Sequence, residues 1–398
     1  MKPIKIAENI WWVGVADWEL RDFHGYETEK GSTYNAYLVK GADKTVLFDT
    51  VKAEYADKFI HSIKQVIEPE KIDYIVSNHS EMDHTGALPE VLELVKPEKL
   101  FTTRKGEEVL KGHFHRDDWP IEIVDKDNGL DIGGKTIKFI ASPMLHWPES
   151  MVSYIPENGM LISNDIFGQH WATSERYDDE VDQGELYHQA AKYYANIFNG
   201  VSNAMKRFLD KLNDETGEIK IIGVDHGLIW RKDIEGILKK YRQWAAQETG
   251  NKAVVVFDTM WGSTAKMAGA IVSGLVDEGI EVKQCDLRVN HRSDVITEIL
   301  EAGAVVVGSS VINKGILPKM GDFLTYMTGL IPRGRIAASF GSYGWNDGAL
   351  KKINEEMAGA KMEIFEDCLT VNWVPTHDDL TRCFDYGKRI ASAVKAKH

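Results

Sequence analysis

Three cysteines are spread over 398 residues, at Cys285, Cys368 and Cys383. They form no C-x-x-C pair and no even framework, which argues against structural disulfides, a cysteine-rich zinc site or a cysteine-ligated iron centre. Reduced, buried thiols are expected. Long apolar runs are missing as well: no stretch reaches the roughly 18 residues that a membrane-crossing helix needs. The opening Met1-Lys2-Pro3-Ile4-Lys5 lacks the apolar core of a secretory signal, so a cytoplasmic protein is expected. Basic clusters are scarce in a chain of net charge −14. Phosphate neutralisation needs clustered Lys and Arg, so neither nucleic acid nor an acidic membrane is an expected partner. No internal repeat and no low-complexity segment is present.

What remains is ample core material. At 43% hydrophobic residues, a chain of this length predicts two or three globular domains. Residues 1 to about 245 alternate short apolar strands with long polar loops, as in Thr33-Tyr34-Asn35-Ala36-Tyr37-Leu38-Val39 and Thr45-Val46-Leu47-Phe48-Asp49, and predict packed sheets with outer helices. The polar run Gln247-Glu248-Thr249-Gly250-Asn251-Lys252 then stops a helix. It separates an expected first domain, 1–248, from a second, 253–398. In the second, strands at 253–257, 281–287, 304–308, 335–340 and 362–365 alternate with helices. Strict alternation predicts a doubly wound parallel sheet of five strands with ligands at their carboxyl ends.

The chemistry is concentrated after the apolar run Ile72-Asp73-Tyr74-Ile75-Val76, where His79-Ser80-Glu81-Met82-Asp83-His84 packs four potential metal ligands into six residues. Strand side chains alternate with period two, so an irregular loop is needed to aim all four at one point, and a loop is expected here rather than a helix. Three more candidates each follow an apolar strand: His146 after 137–141, Asp165 after 160–164, and His226 after 219–224. Ligands converging from several strand ends are how a packed-sheet scaffold builds a rigid metal site. The remaining histidines, His113, His115, His188, His291 and His377, read as surface or hydrogen-bonding residues, and His170 as a residue able to line the pocket without binding metal. Asn78, Tyr193 and Tyr194 are candidates for the layer behind the ligands.

The first half resembles the metallo-β-lactamase fold, an αββα sandwich whose hydrolases typically carry H-x-H-x-D-H in this loop. Glu81 stands where those enzymes have the second histidine, and a hard oxygen donor there moves the preference from zinc toward iron or manganese.

In the second half, Asp258-Thr259-Met260-Trp261-Gly262-Ser263-Thr264 joins a strand to a helix and is similar to the flavodoxin T-x-T-G-x-T phosphate loop, with Trp261 at the second Thr position. Hydroxyls of Thr259, Ser263 and Thr264, N–H groups around Gly262 and the helix N-terminus can bind a phosphate monoester without Lys or Arg, which implies FMN. Two further strand-end loops, containing Ser310, Val311, Ile312, Asn313, Lys314, Gly315 and Ser342, Tyr343, Gly344, Trp345, are expected around the flavin.

A flavodoxin-like half behind such a metal half resembles the flavodiiron proteins along essentially the whole chain. That resemblance implies His79, Glu81 and His146 on one iron, Asp83 and His226 on the other, Asp165 bridging them, and His84 at a position that binds metal in some members only. It implies reduction of dioxygen to water, nitric oxide to nitrous oxide, or both, with electrons entering through FMN. It further implies a head-to-tail homodimer, which can pair again into a dimer of dimers. No C-x-x-C module follows the second half, so a separate donor is expected, a rubredoxin before a reduced deazaflavin. Two competing readings are a zinc-dependent hydrolase fused to a flavodoxin-like domain, and an electron carrier with a vestigial metal half.

Overall fold

A computed structural model describes residues 2–124 and 129–397. The chain divides into two compact units: Met1–His24, Thr28–Tyr193 and Asn203–Arg242 form the first, and Gly25–Glu27, Tyr194–Ser202 and Gln243–His398 the second. Two short segments inside the first half therefore belong to the second unit, which a single cut in the sequence does not anticipate.

In the first unit, β-branched and aromatic runs form two sheets. One contains Ile4–Ala7, Ile10–Trp12, Tyr37–Lys40, Thr45–Phe48, Tyr74–Val76, Lys99–Thr102 and Ile121–Ile123 in that spatial order. The other contains Leu130–Asp131, Thr136–Ala141, Met151–Ile155, Met160–Ile162 and Ile221–Gly223. Period-two alternation decides what each face buries. Tyr37, Val39, Val46, Phe48 and Val76 of the first sheet share a core with Ile137, Phe139, Met151, Ile155 and Ile162 of the second. The intervening Leu38, Leu47, Ile75 and Leu100 face outward onto Phe59, Ile63, Leu88, Val91 and Leu110 of the covering helices. Behind the second sheet, Tyr154 Oη donates to Glu218 O just beyond helix Ser202–Glu215, and Tyr241 of helix Ile234–Ala245 packs on Phe167 with ring centroids 4.6 Å apart. Helices thus close both outer faces.

The pairs Thr45–Phe48 with Tyr74–Val76 and Met160–Ile162 with Ile221–Gly223 are parallel. Parallel neighbours end on the same side, so the loops that follow them share one rim.

The second unit orders its strands Glu281–Asp286, Gly250–Phe257, Ala302–Ile312, Ile336–Tyr343 and then a fifth position, all parallel. Two short segments, Glu363–Ile364 and Leu369–Asn372, fill that fifth position along Ile336–Tyr343. The sequence reading placed only the first. Residues 309–312, expected in a loop, continue their strand and fold back onto Gly315–Ile316 as a hairpin. Val255, Phe257, Ala304, Val306 and Ala338 bury one face against Met267, Ile271, Cys383, Tyr386 and Ile390. Helices Ser263–Asp277 and His377–Lys395 pack there at backbone contact. A Cβ on Gly274 would sit 2.0 Å from Phe384 O, and one on Gly387 would sit 2.2 Å from Ile271 O.

Candidate metal centre and flavin cavity

The ligand loop is fixed at both ends before any metal is considered. Where strand Tyr74–Val76 ends, Asn78 donates from its backbone N and its Nδ2 to the two carboxylate oxygens of Asp49, each at 2.7 Å, and accepts from Ser153 Oγ at 2.7 Å. Asn78 thus shapes the loop from its own position beside Asp49. Residues 77–81 are irregular, as expected, but Met82–Thr85 forms one helical turn, which corrects the expectation of a loop throughout. Thr50 donates from N and Oγ1 to His84 O at 2.9 and 2.6 Å, so the turn carrying Asp83 and His84 is clamped to the neighbouring strand end.

Seven side chains then converge as two sets sharing one carboxylate. In the first set, Glu81 Oε2 lies 3.2 Å from His79 Nε2 and 3.1 Å from His146 Nε2, while Asp165 Oδ2 lies 3.4 and 3.1 Å from the same two nitrogens. In the second, Asp83 Oδ2 is 3.1 Å from His226 Nε2 and Asp83 Oδ1 is 3.4 Å from His84 Nε2. Asp165 Oδ1 completes it, 3.2 Å from His84 Nε2 and 3.4 Å from His226 Nε2. Donors about 3.0–3.4 Å apart are spaced like the corners of a tetrahedron or octahedron around an ion about 2.0–2.2 Å from each. The two oxygens of Asp165 point into different sets.

Burial makes this arrangement costly without cations. Asp83, His84 and Asp165 are at most 4% exposed, and Asp83 Oδ1 and Oδ2, His84 Nε2 and Asp165 Oδ1 have no hydrogen-bond partner among the described residues. Buried carboxylates need a compensating charge. Without metal, protons supply it: burial disfavours the His79 imidazolium, but the carboxylates of Glu149 and Glu81 outweigh that and push its pKa up to about 10. His84 and His146 are raised in the same way against desolvation, by Asp83 and Asp165 and by Asp165 and Glu81. Burial raises Asp165, yet the facing imidazoles, His84 first, hold it well below the usual carboxylate range. A cation entering either set takes over the role of those protons.

Two of the outward nitrogens are hydrogen-bonded, while His84 Nδ1 has no hydrogen-bond partner among the described residues. His79 Nδ1–H donates to Glu149 Oε1 at 2.8 Å, His226 Nδ1–H donates to Thr33 O at 2.7 Å, and His84 Nδ1 faces Asp225 Oδ2 at 3.6 Å. Each Nε2 is thereby left pointing inward. Glu149, Asp225 and Asp49 escape sequence reasoning because nothing in a linear pattern tells a buried carboxylate from a solvated one. His24 escapes it as well: its largely exposed ring brings Nε2 within 3.6 Å of Glu81 Oε1.

His170 lines the cluster without joining it. Its ring packs on Phe23, Tyr193 and His226, Nδ1 pairs with Ser32 Oγ at 2.7 Å, and burial holds it neutral. Tyr193 is fully buried beside His170 and His226. Tyr194 does not join this layer: it belongs to the second unit, where its hydroxyl meets Ser202 Oγ at 3.1 Å. His113 packs on Trp147, His115 ends helix Arg104–Phe114, His188 lies in helix Gln183–Tyr193, His291 caps helix Arg292–Ile299 and His377 opens helix His377–Lys395.

The second unit holds a cavity of about 710 Å³ at the carboxyl ends of its strands, a size suited to one cofactor. Met260, Trp261, Ser263, Ser310, Val311, Ile312, Asn313, Lys314, Ser342, Tyr343, Gly344 and Trp345 line it, together with Asn346, Trp373 and Val374. Four other expected residues, Thr259, Gly262, Thr264 and Gly315, lie outside the lining: Thr259 Oγ1 accepts from Gly262 N at 3.1 Å, Thr264 is fully buried, and Gly315 turns the hairpin. Thr264 Oγ1 lies 2.8 Å from Ser310 Oγ and 2.9 Å from Ser342 Oγ, gathering three hydroxyls where helix Ser263–Asp277 begins. Gly262 reaches that helix with φ +88°, a value that favours glycine. Trp373 was missed because the fifth strand was ended at Phe365. The β-rich Leu369-Thr370-Val371 was the available signal, and its strand delivers Trp373 N to Tyr343 O at 2.7 Å.

Comparison with known proteins fits both sites. The family described as ODP family beta lactamase matches residues 33–227, and flavodoxin matches 255–387. Nitric oxide reductase of Moorella thermoacetica is 45% identical over 99% of each chain. Among solved structures, rubredoxin oxygen:oxidoreductase from Desulfovibrio gigas superposes with a TM-score of 0.96 at 41% identity, over 100% of this chain and 99% of that one. The flavodiiron protein from Giardia intestinalis superposes with a TM-score of 0.96 at 32% identity, over 100% and 97%. The chain belongs to the flavodiiron protein family. Its two domain types are the metallo-β-lactamase-like and flavodoxin-like ones expected from the sequence. The flavodoxin match indicates FMN for a cavity whose lining hydroxyls, Ser263, Ser310 and Ser342, and helix N-terminus suit a phosphate, with Thr264 buried behind the last two. The paired donor sets fit a diiron centre: the partnerless buried oxygens Asp83 Oδ1, Asp83 Oδ2 and Asp165 Oδ1 face the second position, and Glu81 Oε2 and Asp165 Oδ2 face the imidazoles of His79 and His146 at the first. Among the described residues no helix is long and apolar enough to cross a membrane.

Proposed function

We propose that this flavodiiron protein reduces dioxygen to water, nitric oxide to nitrous oxide, or both, with electrons entering through FMN from a rubredoxin-type donor. The carrying observation is the split of Asp165, Oδ2 toward His79 and His146 and Oδ1 toward His84 and His226. Two irons held this way, when bound, supply Lewis acidity and electrons to one dioxygen or to two nitric oxide molecules side by side. The residues supply the rest. His79, Glu81 and His146 would hold one ion and Asp83, His84 and His226 the other, while the carboxylate of Asp165, shared by the two sets, would lower the repulsion between them. Glu81 puts a hard donor where zinc hydrolases have a histidine, which favours iron and disfavours the hydrolase reading.

The metal role is assigned to residues 1–248 and the flavin role to 253–398, where the loop of Thr259, Gly262, Ser263 and Thr264 would hold the phosphate and the cavity-lining Trp345 and Trp373 would stand beside the ring. Trp261 and Trp345 are 90% and 88% exposed at the cavity, apolar surface that a second copy of the chain would cover in a head-to-tail dimer. The name of the Desulfovibrio gigas protein supports rubredoxin as donor ahead of a reduced deazaflavin. Metal and flavin analysis with turnover on each gas separately tests the reading. Two irons and one FMN per chain, with the reduced protein rapidly oxidised by oxygen or nitric oxide, is the expected result; zinc in an active preparation would overturn it.

A further inference from the structure

The two donor sets are alike at their centre and unlike one layer out. Behind the second set, the partner of His226 Nδ1 is a neutral carbonyl, Thr33 O, at 2.7 Å, and the nearest carboxylate, Asp225, stands 3.6 Å from His84 Nδ1 without a hydrogen bond to it. Behind the first set, the partner of His79 Nδ1 is the carboxylate of Glu149 at 2.8 Å, with Glu149 2% exposed and His79 fully buried. Glu149 is anchored independently of the ligands. Its Oε1 also accepts from Ser80 N at 3.0 Å, and its backbone O accepts from Thr103 Oγ1 at 2.9 Å. Glu149 Oε2 has no hydrogen-bond partner among the described residues, so this buried carboxylate passes its charge chiefly through one imidazole. A glutamine would satisfy Ser80 N and His79 Nδ1–H equally well in shape, so a purely structural contact at this position would not require an acid.

We propose that Glu149 is a positioning residue that acts through His79: it fixes the ring with Nε2 toward the first ion and makes that ligand the more strongly donating one, so that the two irons are inequivalent. A carboxylate behind a metal-bound histidine raises the basicity of the ligand and stabilises the more oxidised ion. Rotation of the His79 ring would break the bond to Glu149 and withdraw a donor from the first set alone. The inference rests on the diiron reading and says which of the two ions the protein singles out.

The test uses the holoprotein with Glu149→Ala and Glu149→Gln, measuring iron release into a chelator, FMN content, and the iron and flavin potentials by redox titration followed by electron paramagnetic resonance. Glu149→Ala is expected to lose one of its two irons about 10- to 100-fold faster while the other leaves at the original rate. Glu149→Gln, which preserves shape, is expected to keep both irons and FMN, with one of the two iron reduction steps moved to higher potential and the flavin potentials unchanged. Loss of both irons at equally increased rates, or unaltered release together with unaltered potentials, would overturn the proposal. If Glu149→Ala fails to fold, the potentials of Glu149→Gln decide alone. A wild-type protein with fewer than two irons would refute the diiron reading itself, an outcome separate from any behaviour of the variants.

Discussion

The two sites hold their cofactors by opposite means. In the first unit the donors are charged and largely buried, with His79 and His84 fully covered and Asp165 1% exposed, and hydrogen bonds behind His79 and His226 fix the direction of those rings. In the second unit the cavity relies on hydroxyls, backbone N–H groups and aromatic walls, two of whose tryptophans are nearly as exposed as in an unfolded chain. Charges out of water must be balanced in place, so the metal site is set before an ion arrives. A flavin spreads its binding over many weak contacts. Single substitutions should therefore be drastic in the first site and graded in the second.

Asp165→Ala should give the sharpest failure. It removes a donor from both sets at once, and apparent iron affinity should fall by more than the roughly 100-fold upper range for groups one layer further out. Elemental analysis should find the iron pair lost and FMN retained; a variant that kept both irons would refute the bridge. Glu81→His should follow in size, because it alters one set only. It replaces a hard donor by an imidazole, shifting metal content toward zinc and abolishing gas reduction. Unchanged iron occupancy and turnover would remove Glu81 from the ligand assignment.

The same contrast explains what could be read from the chain. The strand-to-loop rhythm made the seven converging side chains legible, because His79, His146, Asp165 and His226 each follow an apolar run whose end falls on a common rim. The parallel sheet of the second unit was legible for the same reason. Glu149 and Asp225 were not, since a carboxylate three residues after His146 or one before His226 carries no periodicity of its own. Trp373 was lost to a misplaced strand end. The one helical turn at Met82–Thr85 was missed because four residues are too few to show a period, and tertiary contacts from Thr50 hold it.

Acid should weaken the metal site. His79, raised to about 10, along with His84 and His146, also raised, carries protons in the metal-free protein that an ion must displace. Apparent metal affinity should drop about tenfold per pH unit for each proton released on binding. Linkage gives the metal-free form the opposite trend. Its gain from the raised His79 is full below the ordinary 6.5 and is lost as pH rises through about 10. Melting temperatures measured across that window, with and without iron, should diverge toward alkaline pH; parallel curves would show that the imidazoles do not exchange protons for metal.

Thr264→Val should have the smallest effect of these. Its hydroxyl meets Ser310 Oγ and Ser342 Oγ at 2.8 and 2.9 Å, and those two serines lie 3.3 Å apart and can still pair when it is gone. Valine keeps the volume, so the sheet and helix Ser263–Asp277 should stay in place while the phosphate end of the cavity loses one donor. A hydrogen bond of about 1 kcal/mol corresponds to roughly fivefold in affinity. FMN titration of the flavin-stripped protein should read that fivefold weakening, with iron content untouched. An unaltered flavin affinity would remove Thr264 from the phosphate contacts. A loss as steep as that expected for Asp165→Ala would mean that the flavin site, too, depends on a single buried group.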